Sequence, residues 1–294
     1  MSEEQTIARE FSLEGLGLHS GEPSRVTLRP APVGHGVVFV RPGSAPPVRI
    51  PGRVEFVTST RNATTLAAGG ATVSTVEHLL AALWAGGIDD VEIEIEGPEV
   101  PVLDGSARPF AAALREVGGR SSGKSQRQWT VTREIEVDLG DGRIRAEPAD
   151  RLALSYAVDY SHPAIGRQEI AFDAINSEIF ESELAPARTF GFLSDVEALR
   201  AAGLARGGSL ENTIVLDDRG VINPEGLRFP DEFVRHKVVD LLGDLSLLGG
   251  ALRARVSVER GGHSLHRALV VALHEEPGAG EWTYGQGISA GSPV

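Results

Sequence analysis

The sequence of 294 residues contains no cysteine. This absence excludes disulfide bonds and every metal site built on thiolate ligands, so a bound metal must be held by histidine, aspartate or glutamate. Basic residues are outnumbered by acidic ones, 28 against 41, and the formal net charge is -13. A chain this acidic has no overall attraction for nucleic acid or for an anionic membrane. We therefore expect no nucleic-acid partner, and an anionic ligand would need locally placed lysine or arginine.

Long apolar runs are missing as well. No uninterrupted apolar stretch approaches the ~20 residues of a membrane-spanning helix. The opening residues, MSEEQTIAREFSLEG, are polar and acidic and unlike a signal peptide. We therefore expect a soluble cytoplasmic protein with no transmembrane segment. Hydrophobic residues make up 41% of the chain, which is enough for a buried core of ordinary size.

Residues 118–128, GGRSSGKSQRQ, are polar and rich in glycine and serine, as is typical of a linker. This segment predicts an N-terminal domain over residues 1–117 and a C-terminal domain over residues 129–294. Each part ends in the same order of predicted elements: helix, Gly-Gly, strand, helix. We therefore predict an α+β fold of two similar domains, each a sheet with helices packed on one face. The active site is expected between the domains, where pockets commonly lie.

The predicted helix over residues 231–248 carries polar side chains on one face. His236, Asp240 and Asp244 are four residues apart and so point to the same side, and most residues between them are apolar. Buried charges need partners or a metal, and histidine and aspartate at this spacing can bind one ion together. The alternative is a ladder of surface ion pairs, which contributes little to stability.

Glu77 and His78 lie near the start of the helix predicted over residues 75–85. His78 could supply a further metal ligand, and Glu77 could act as a general base. The alternative is structural, because Ser74-x-x-Glu77 has the spacing of a capping box, in which Glu77 only satisfies backbone donors. A single histidine on an apolar helix is also more often a hydrogen-bonded core residue than a ligand.

Other candidate segments are less specific. His263 follows two glycines at a strand-to-helix junction, a position suited to an acid or base but common for histidine. Residues 187–192, ARTFGF, suit a nucleotide-binding loop or, alternatively, a turn with a hydrophobic anchor. Residues 15–21, GLGLHSG, have the glycine density of a phosphate loop but lack its Lys-Ser/Thr ending.

Taken together, these segments resemble the UDP-3-O-acyl-N-acetylglucosamine deacetylases, the zinc enzymes of lipid A synthesis. The resemblance covers nearly the whole chain, and the combination of motifs is highly specific. The matching segments are GLGLHSG from Gly15, STVEHLLAAL from Ser74, PEVPVLDGSARPF from Pro98, HPAIG from His162, ARTFGF from Ala187, GGSLENTIV from Gly207, GLRFPDEFVRHKVVDLLGDL from Gly226, and Gly262-His263.

The resemblance implies a two-domain α+β fold and one zinc ion per chain, with Fe²⁺ as the alternative metal in the cell. The implied ligands are His78, His236 and Asp240. The chain departs from the usual family pattern at Gly250 and His266, which leaves the implied metal ligands in place.

The catalytic roles implied by the resemblance belong to four residues. Glu77 matches the general base, and His263 matches the cationic partner or general acid. Asp244 matches the carboxylate that pairs with this histidine, and Thr189 matches the hydroxyl near the scissile carbonyl. Together these roles imply hydrolysis of the N-acetyl amide.

The implied substrate is a small molecule, an acylated UDP-sugar. The resemblance implies that Lys237 and Phe190 contact it, and we expect His19 and Arg260 as further substrate contacts near the phosphates. The alternatives are a zinc amidohydrolase acting on another amide, a non-catalytic relative that binds sugar nucleotides or lipids, and a structural protein with ion-paired histidines.

Overall fold

The computed structural model describes residues 3–43 and 45–284. Within them, strands and helices form a mixed α+β fold, as the sequence predicted. A single 3₁₀ turn interrupts the strands of the first part of the chain, at Val54–Phe56. The elements of this part are β1 (Glu3–Ile7), β2 (Phe11–Leu16), β3 (Pro23–Pro30), β4 (Val37–Arg41), β5 (Val48–Pro51), β6 (Val57–Ser59), β7 (Thr65–Ala68), β8 (Ala71–Val73), α1 (Glu77–Ala85), β9 (Val91–Glu96) and α2 (Arg108–Val117).

The second part adds eleven strands and four helices within the described residues. A π-helical turn at Phe180–Leu184 and a 3₁₀ turn at Leu193–Asp195 lie between its strands. The elements are β10 (Gly119–Ser125), β11 (Arg127–Val131), β12 (Ile135–Leu139), β13 (Gly142–Glu147), β14 (Ala153–Asp159), β15 (Arg167–Phe172), α3 (Ser177–Ile179), β16 (Phe190–Phe192), α4 (Val196–Ala201), β17 (Ile214–Leu216), α5 (Glu232–Ser246), β18 (Ala251–Arg253), β19 (Arg255–Glu259), α6 (His263–Glu275) and β20 (Gly280–Tyr284).

Two five-stranded sheets have the same topology. Their strand orders are β2-β3-β9-β4-β5 and β12-β13-β19-β14-β15. In each sheet the central strand is antiparallel to one neighbour and parallel to the other. The repeat predicted from the layout of the sequence is therefore confirmed as a repeat of topology, in which α1 corresponds to α5 and α2 to α6.

The alternating sequence VEIEIE explains why β9 lies at the centre of its sheet. Val91, Ile93 and Ile95 are fully buried and face the core. The glutamates between them lie on the other face, where Arg29 of β3 and Arg49 of β5 form ion pairs with them. One face is thus apolar and the other charged, which is the pattern of a half-buried strand.

Helices α1 and α5 pack against each other, α5 also contacts β14 and β15, and α6 contacts both α5 and the strands β12 and β13. The close approach of α1 and α5 depends on Gly243, because a Cβ atom there would lie 2.7 Å from the carbonyl carbon of Glu77. This contact brings the first turn of α1 against the middle of α5. The most unusual polar residues of the two halves therefore meet.

The segment predicted as a linker contains β10, which pairs antiparallel with β1. Backbone hydrogen bonds hold such a strand without apolar side chains, so a segment rich in glycine and serine can form either a linker or a paired strand. The domain limits at residues 117 and 129 stay a prediction. Within residues 3–43 and 45–284, no helix has the length and apolar character needed to cross a lipid bilayer.

Candidate active site

Three helices bring the candidate residues together. Glu77 and His78 form the start of α1, and His263 is the first residue of α6. The polar face of α5, with Asp240 at its centre, lies between them. Glu77, His78 and Asp240 are buried and the side chain of His263 is only 9% exposed, although all four are ionisable. Each therefore needs a charged or hydrogen-bonding partner.

His78, His236 and Asp240, here called the Asp240 cluster, converge on one point. The Nε2 atoms of His78 and His236 lie 3.6 and 3.4 Å from Asp240 Oδ1. The two rings are nearly perpendicular, with centroids 4.9 Å apart. One potential ligand atom from each residue lies within 4.8 Å of the others. Two imidazoles and one carboxylate are a donor set that divalent transition metals accept.

The surroundings of the Asp240 cluster set its protonation. His236 Nδ1 lies 3.1 Å from the carbonyl oxygen of Ala187 and donates to it, which leaves the Nε2 lone pair directed into the cluster. Burial lowers the pKa of His236 to about 3, so the ring is neutral. Burial opposes the charge on Asp240, but Lys237, with its Nζ 2.9 Å from Asp240 Oδ2, and the surrounding histidines together outweigh burial and hold the pKa of Asp240 well below its ordinary value. The cluster therefore presents a neutral imidazole from His236 and an ionised carboxylate from Asp240.

Glu77 lies beside this cluster with one oxygen held and the other directed inward. Its Oε2 accepts a hydrogen bond of 3.1 Å from the backbone amide of Thr64. Its Oε1 lies 3.9 Å from His263 Nε2. Burial raises the pKa of Glu77, and the nearby charge of His263 partly offsets this rise. A carboxylate with a raised pKa in this position is suited to accepting a proton.

The capping-box alternative for Glu77 is wrong. Helix α1 begins at Glu77 itself, its N-cap is Val76, and no side chain caps it. Ser74 lies outside the helix, and its hydroxyl bonds to that of Thr65 at 2.7 Å. The left-handed backbone of Thr75 (φ 58°) turns the chain just before the helix, which separates Ser74 from the helix start.

Asp244, His263 and His266, here called the Asp244 cluster, form a second buried group. Asp244 Oδ2 lies 2.7 Å from His263 Nδ1 and 2.9 Å from His266 Nδ1. Asp244 Oδ1 accepts a 2.6 Å hydrogen bond from the hydroxyl of Thr64. The other nitrogen of His266, Nε2, lies 2.9 Å from Tyr156 Oη. This cluster is therefore a closed hydrogen-bond network around one carboxylate.

The charges of the Asp244 cluster follow from this network. Burial alone would lower the pKa of His263, but the charge and hydrogen bond of Asp244, with the charges of Asp240 and Glu77, together outweigh burial, and the pKa of His263 rises to about 9. Burial would likewise raise the pKa of Asp244, but the charge of His263 and the hydrogen bonds from both histidines lower it to about 2. At neutral pH the pair is thus an imidazolium and a carboxylate.

A cavity of about 590 Å³ opens onto both clusters through Glu77, His78, His236, Asp240 and His263. Of the other candidates from the sequence, Thr189, Phe190, Lys237 and His19 also line it. The apolar part of the lining, here called the apolar wall, consists of Leu18, Phe192, Leu193, Val196, Leu199, Leu210, Val215 and Ile222.

Local contacts hold the cavity-lining candidates in place. Backbone hydrogen bonds join Thr189 to Gly105 and Ile214. His19 Nδ1 accepts from the amide of Ala205, and His19 Nε2 donates to the carbonyl of Asn62. Both ring nitrogens of His19 are therefore engaged with backbone.

Arg260 is not brought into the cavity. Its guanidinium Nε donates to the carbonyl oxygen of Asp141 at 3.0 Å and lies 3.6 Å from that residue's carboxylate. The geometry gives its predicted substrate contact no support.

Sequence reasoning missed two residues of the site. Thr64 holds Glu77 through its amide and Asp244 through its hydroxyl, and no local pattern around residue 64 indicates this. The carbonyl of Ala187, which orients His236, belongs to a segment whose motif points only to its side chains. Two of these three contacts, Thr64 to Asp244 and His236 to Ala187, join residues far apart in the chain, whereas Thr64 and Glu77 are 13 positions apart.

A family model described as UDP-3-O-acyl N-acetylglycosamine deacetylase matches residues 4–275. Relatives named UDP-3-O-acyl-N-acetylglucosamine deacetylase are also similar over most of their length. The protein from Geotalea uraniireducens is 46% identical over 275 residues, 93% of this chain and 89% of the relative. That from Myxococcus xanthus is 46% identical over 274 residues, 93% and 87% of the two chains. That from Aliarcobacter butzleri is 42% identical over 274 residues, 93% and 90%.

Proposed function

The chain belongs to the UDP-3-O-acyl N-acetylglycosamine deacetylase family, and on this basis we propose that it removes the N-acetyl group from UDP-3-O-acyl-N-acetylglucosamine. This hydrolysis is the committed step of lipid A biosynthesis. The observation that carries the proposal is the convergence of the Asp240 cluster, Glu77 and His263 on one cavity with an apolar wall. A metal-dependent amide hydrolase uses these parts: a metal site, a base and an acid.

We propose zinc as the metal, with His78, His236 and Asp240 as its ligands. The donor set fits, because the Nε2 lone pair of His236 faces the cluster and Asp240 is ionised. Three protein ligands leave a position open, as catalytic zinc sites require. A bound zinc ion would act as a Lewis acid that activates water and polarises the acetyl carbonyl. Fe²⁺ accepts the same donors and is the alternative metal. Amide hydrolysis involves no change of oxidation state, so the reaction does not need a redox-active metal and zinc is sufficient.

Glu77 is proposed as the general base. Its Oε1 faces the cavity, while Oε2 is held by the amide of Thr64, so the carboxylate has a fixed orientation. It would take the proton of the attacking water. The raised pKa of Glu77 brings its basicity closer to neutral pH, where general bases work best.

His263 is proposed as the acid that protonates the departing amine or stabilises the developing negative charge. Its Nδ1–H is held by Asp244, so its Nε2–H can point toward the cavity. Asp244 keeps the ring positively charged through neutral pH. The hydroxyl of Thr189, which lines the same cavity, is proposed to donate to the acetyl oxygen.

The substrate contacts proposed for the cavity divide by polarity. Lys237 contributes a partly buried positive charge, although its Nζ is also bonded to Asp240. Phe190 lies edge-on to the ring of Phe233, which fixes its orientation. His19 lies at the polar side, and the apolar wall suits an acyl chain. Arg260 is left out of the proposed site.

The test is release of acetate from UDP-3-O-acyl-N-acetylglucosamine by the purified protein. We expect activity that a chelator abolishes and that added Zn²⁺ restores. A simple N-acetylated sugar without the acyl chain and the diphosphate is the matched control and should react poorly. A metal-loaded, folded protein that releases no acetate would contradict the proposal, and equal rates on both substrates would indicate a different amidohydrolase.

A further inference from the structure

Asp244 has two histidine partners on α6, and the second lies outside the proposed reaction. His266 follows His263 by three residues, so both side chains lie on the same side of the helix. Both Nδ1 atoms are within hydrogen-bond distance of the same oxygen, Asp244 Oδ2. His263 lines the cavity, whereas His266 is fully buried behind it. Only His263 can meet a substrate, so any role of His266 must act through Asp244.

The two hydrogen bonds of His266 are consistent with only one assignment of donors and acceptors. A carboxylate only accepts, so Nδ1 of His266 carries a proton and donates it to Asp244. In the neutral ring Nε2 is then an acceptor, and the hydroxyl of Tyr156, 2.9 Å away, donates to it. Burial lowers the pKa of His266, which favours this neutral form. A directed chain of hydrogen bonds thus runs from Tyr156 through His266 to Asp244.

Gly261 makes room for this chain. A Cβ atom at residue 261 would lie 2.7 Å from Tyr156 Oη and 3.4 Å from His266 Nε2. Tyr156 is fully buried in β14, which is hydrogen-bonded to strands on both sides, so its backbone cannot move aside easily. A side chain at residue 261 would therefore push directly on the hydroxyl that bonds to His266. The hydrogen bond between Tyr156 and His266 therefore requires glycine at residue 261.

We propose that His266 is a positioning residue: it holds the Asp244 carboxylate in the orientation that supports His263, and Tyr156 keeps the proton of His266 on Nδ1. The inference rests on the proposed function, which assigns His263 to the reaction. Asp244 is held by three donors, Thr64 on Oδ1 and the two histidines on Oδ2. Without His266, Oδ2 keeps only the bond to His263, so the orientation of the carboxylate, and with it that of the His263 ring, is fixed less firmly.

The kinetic test compares His266→Asn with His266→Leu in the metal-loaded protein. The asparagine amide can take the place of Nδ1 and donate to Asp244, whereas leucine has a similar volume and donates nothing. We expect His266→Leu to lower kcat about 10- to 100-fold, the usual effect of removing an outer hydrogen-bond partner, with KM unchanged. His266→Asn should recover most of the lost kcat. Equal kcat values in the two variants, at equal metal content and Tm, would overturn the proposal.

A second measurement does not depend on activity. Nitrogen-15 NMR of the imidazole rings in the parent protein reports which nitrogen of His266 carries the proton, and we expect Nδ1. A proton on Nε2 alone would overturn the proposal even if the variants at residue 266 failed to fold. An inactive parent protein with the proton on Nδ1 would instead contradict the proposed function and leave the hydrogen-bond chain standing.

Discussion

Two buried clusters on α5 contain the same residue types and use them in opposite ways. In the Asp240 cluster the histidine Nε2 atoms lie 3.4 and 3.6 Å from the carboxylate oxygen, beyond good hydrogen-bond distance. In the Asp244 cluster the two histidine Nδ1 atoms lie 2.7 and 2.9 Å from Asp244 Oδ2, which is hydrogen-bond distance. In the first cluster Asp240 Oδ1 and the two Nε2 atoms form no short hydrogen bond with one another, which suits the metal site that we propose there. The second cluster uses its donors and acceptors internally.

By proximity alone, either group could hold an ion. The difference lies in what each ligand atom already bonds to. Asp244 accepts hydrogen bonds on both oxygens, and Tyr156 occupies the far nitrogen of His266. A metal would have to displace these bonds. The hydrogen-bonding state of the ligand atoms, and not residue type, therefore separates the group that we propose as a metal site from the group that forms a closed hydrogen-bond network.

The largest expected effect comes from removing a histidine of the Asp240 cluster. His236→Ala should reduce bound metal from about one per chain to nearly none, because two ligands hold a divalent ion poorly, and activity should be lost with it. His266→Asn removes a histidine of the other cluster and is the matched control, which should keep its metal. Elemental analysis of both purified variants checks this. Full metal content in His236→Ala, or loss of metal in His266→Asn, would contradict the assignment of the metal to the Asp240 cluster.

Glu77→Gln is expected to have the next largest effect. Glutamine keeps the shape and can still accept from the Thr64 amide, but it cannot take a proton from water. We expect kcat to fall about 10²–10⁴-fold, with metal retained and Tm equal to or above that of the parent, because burial disfavours the charged form of Glu77. The measurements are kcat, metal content and Tm. Near-parental kcat in a folded, metal-loaded variant would exclude Glu77 as the base.

Asp244→Asn tests the charge in the second cluster. The pKa of His263 is raised to about 9 by Asp244, so the histidine loses its proton only as pH rises through that value. Without the carboxylate this pKa should fall, and the alkaline limb of kcat/KM should move to lower pH, with a loss on the order of 10² at alkaline pH. Asp141→Asn changes an exposed aspartate and should leave the profile unchanged. If the alkaline limb of Asp244→Asn lies at the same pH as that of the parent, the limb does not report deprotonation of His263.

The smallest expected effect is that of Lys237→Ala, which removes the cation beside Asp240. We expect KM to rise roughly tenfold, as for the loss of one charged hydrogen bond of about 1.5–3 kcal/mol, while metal stays bound by the same three ligands. Arg260→Ala is the comparison, because Arg260 is held by Asp141 outside the cavity, and its KM should match that of the parent. Metal loss in Lys237→Ala would mean that Lys237 mainly sustains Asp240. Equal KM values for Lys237→Ala and the parent would remove it from substrate binding.

The sequence by itself determined the features that follow from local periodicity. Helical spacing places His236, Asp240 and Asp244 on one face, and strand alternation buries one side of β9. The repeated order of elements indicated two sheets of like topology, and the absence of cysteine limited the metal ligands to the types found. These features depend on neighbours a few residues apart, so a single sequence is sufficient to infer them.

Only the tertiary structure decided how the atoms of the site are used. Whether Glu77 caps a helix or faces the cavity depends on Thr64 and on the turn at Thr75. The difference between the two clusters depends on Thr64, Tyr156 and the carbonyl of Ala187. Arg260 bonds to Asp141 and does not face the cavity. Most of these contacts join residues that are tens to more than a hundred positions apart in the chain. Long-range packing fixes which hydrogen-bond donor reaches which acceptor, and no local pattern encodes that choice.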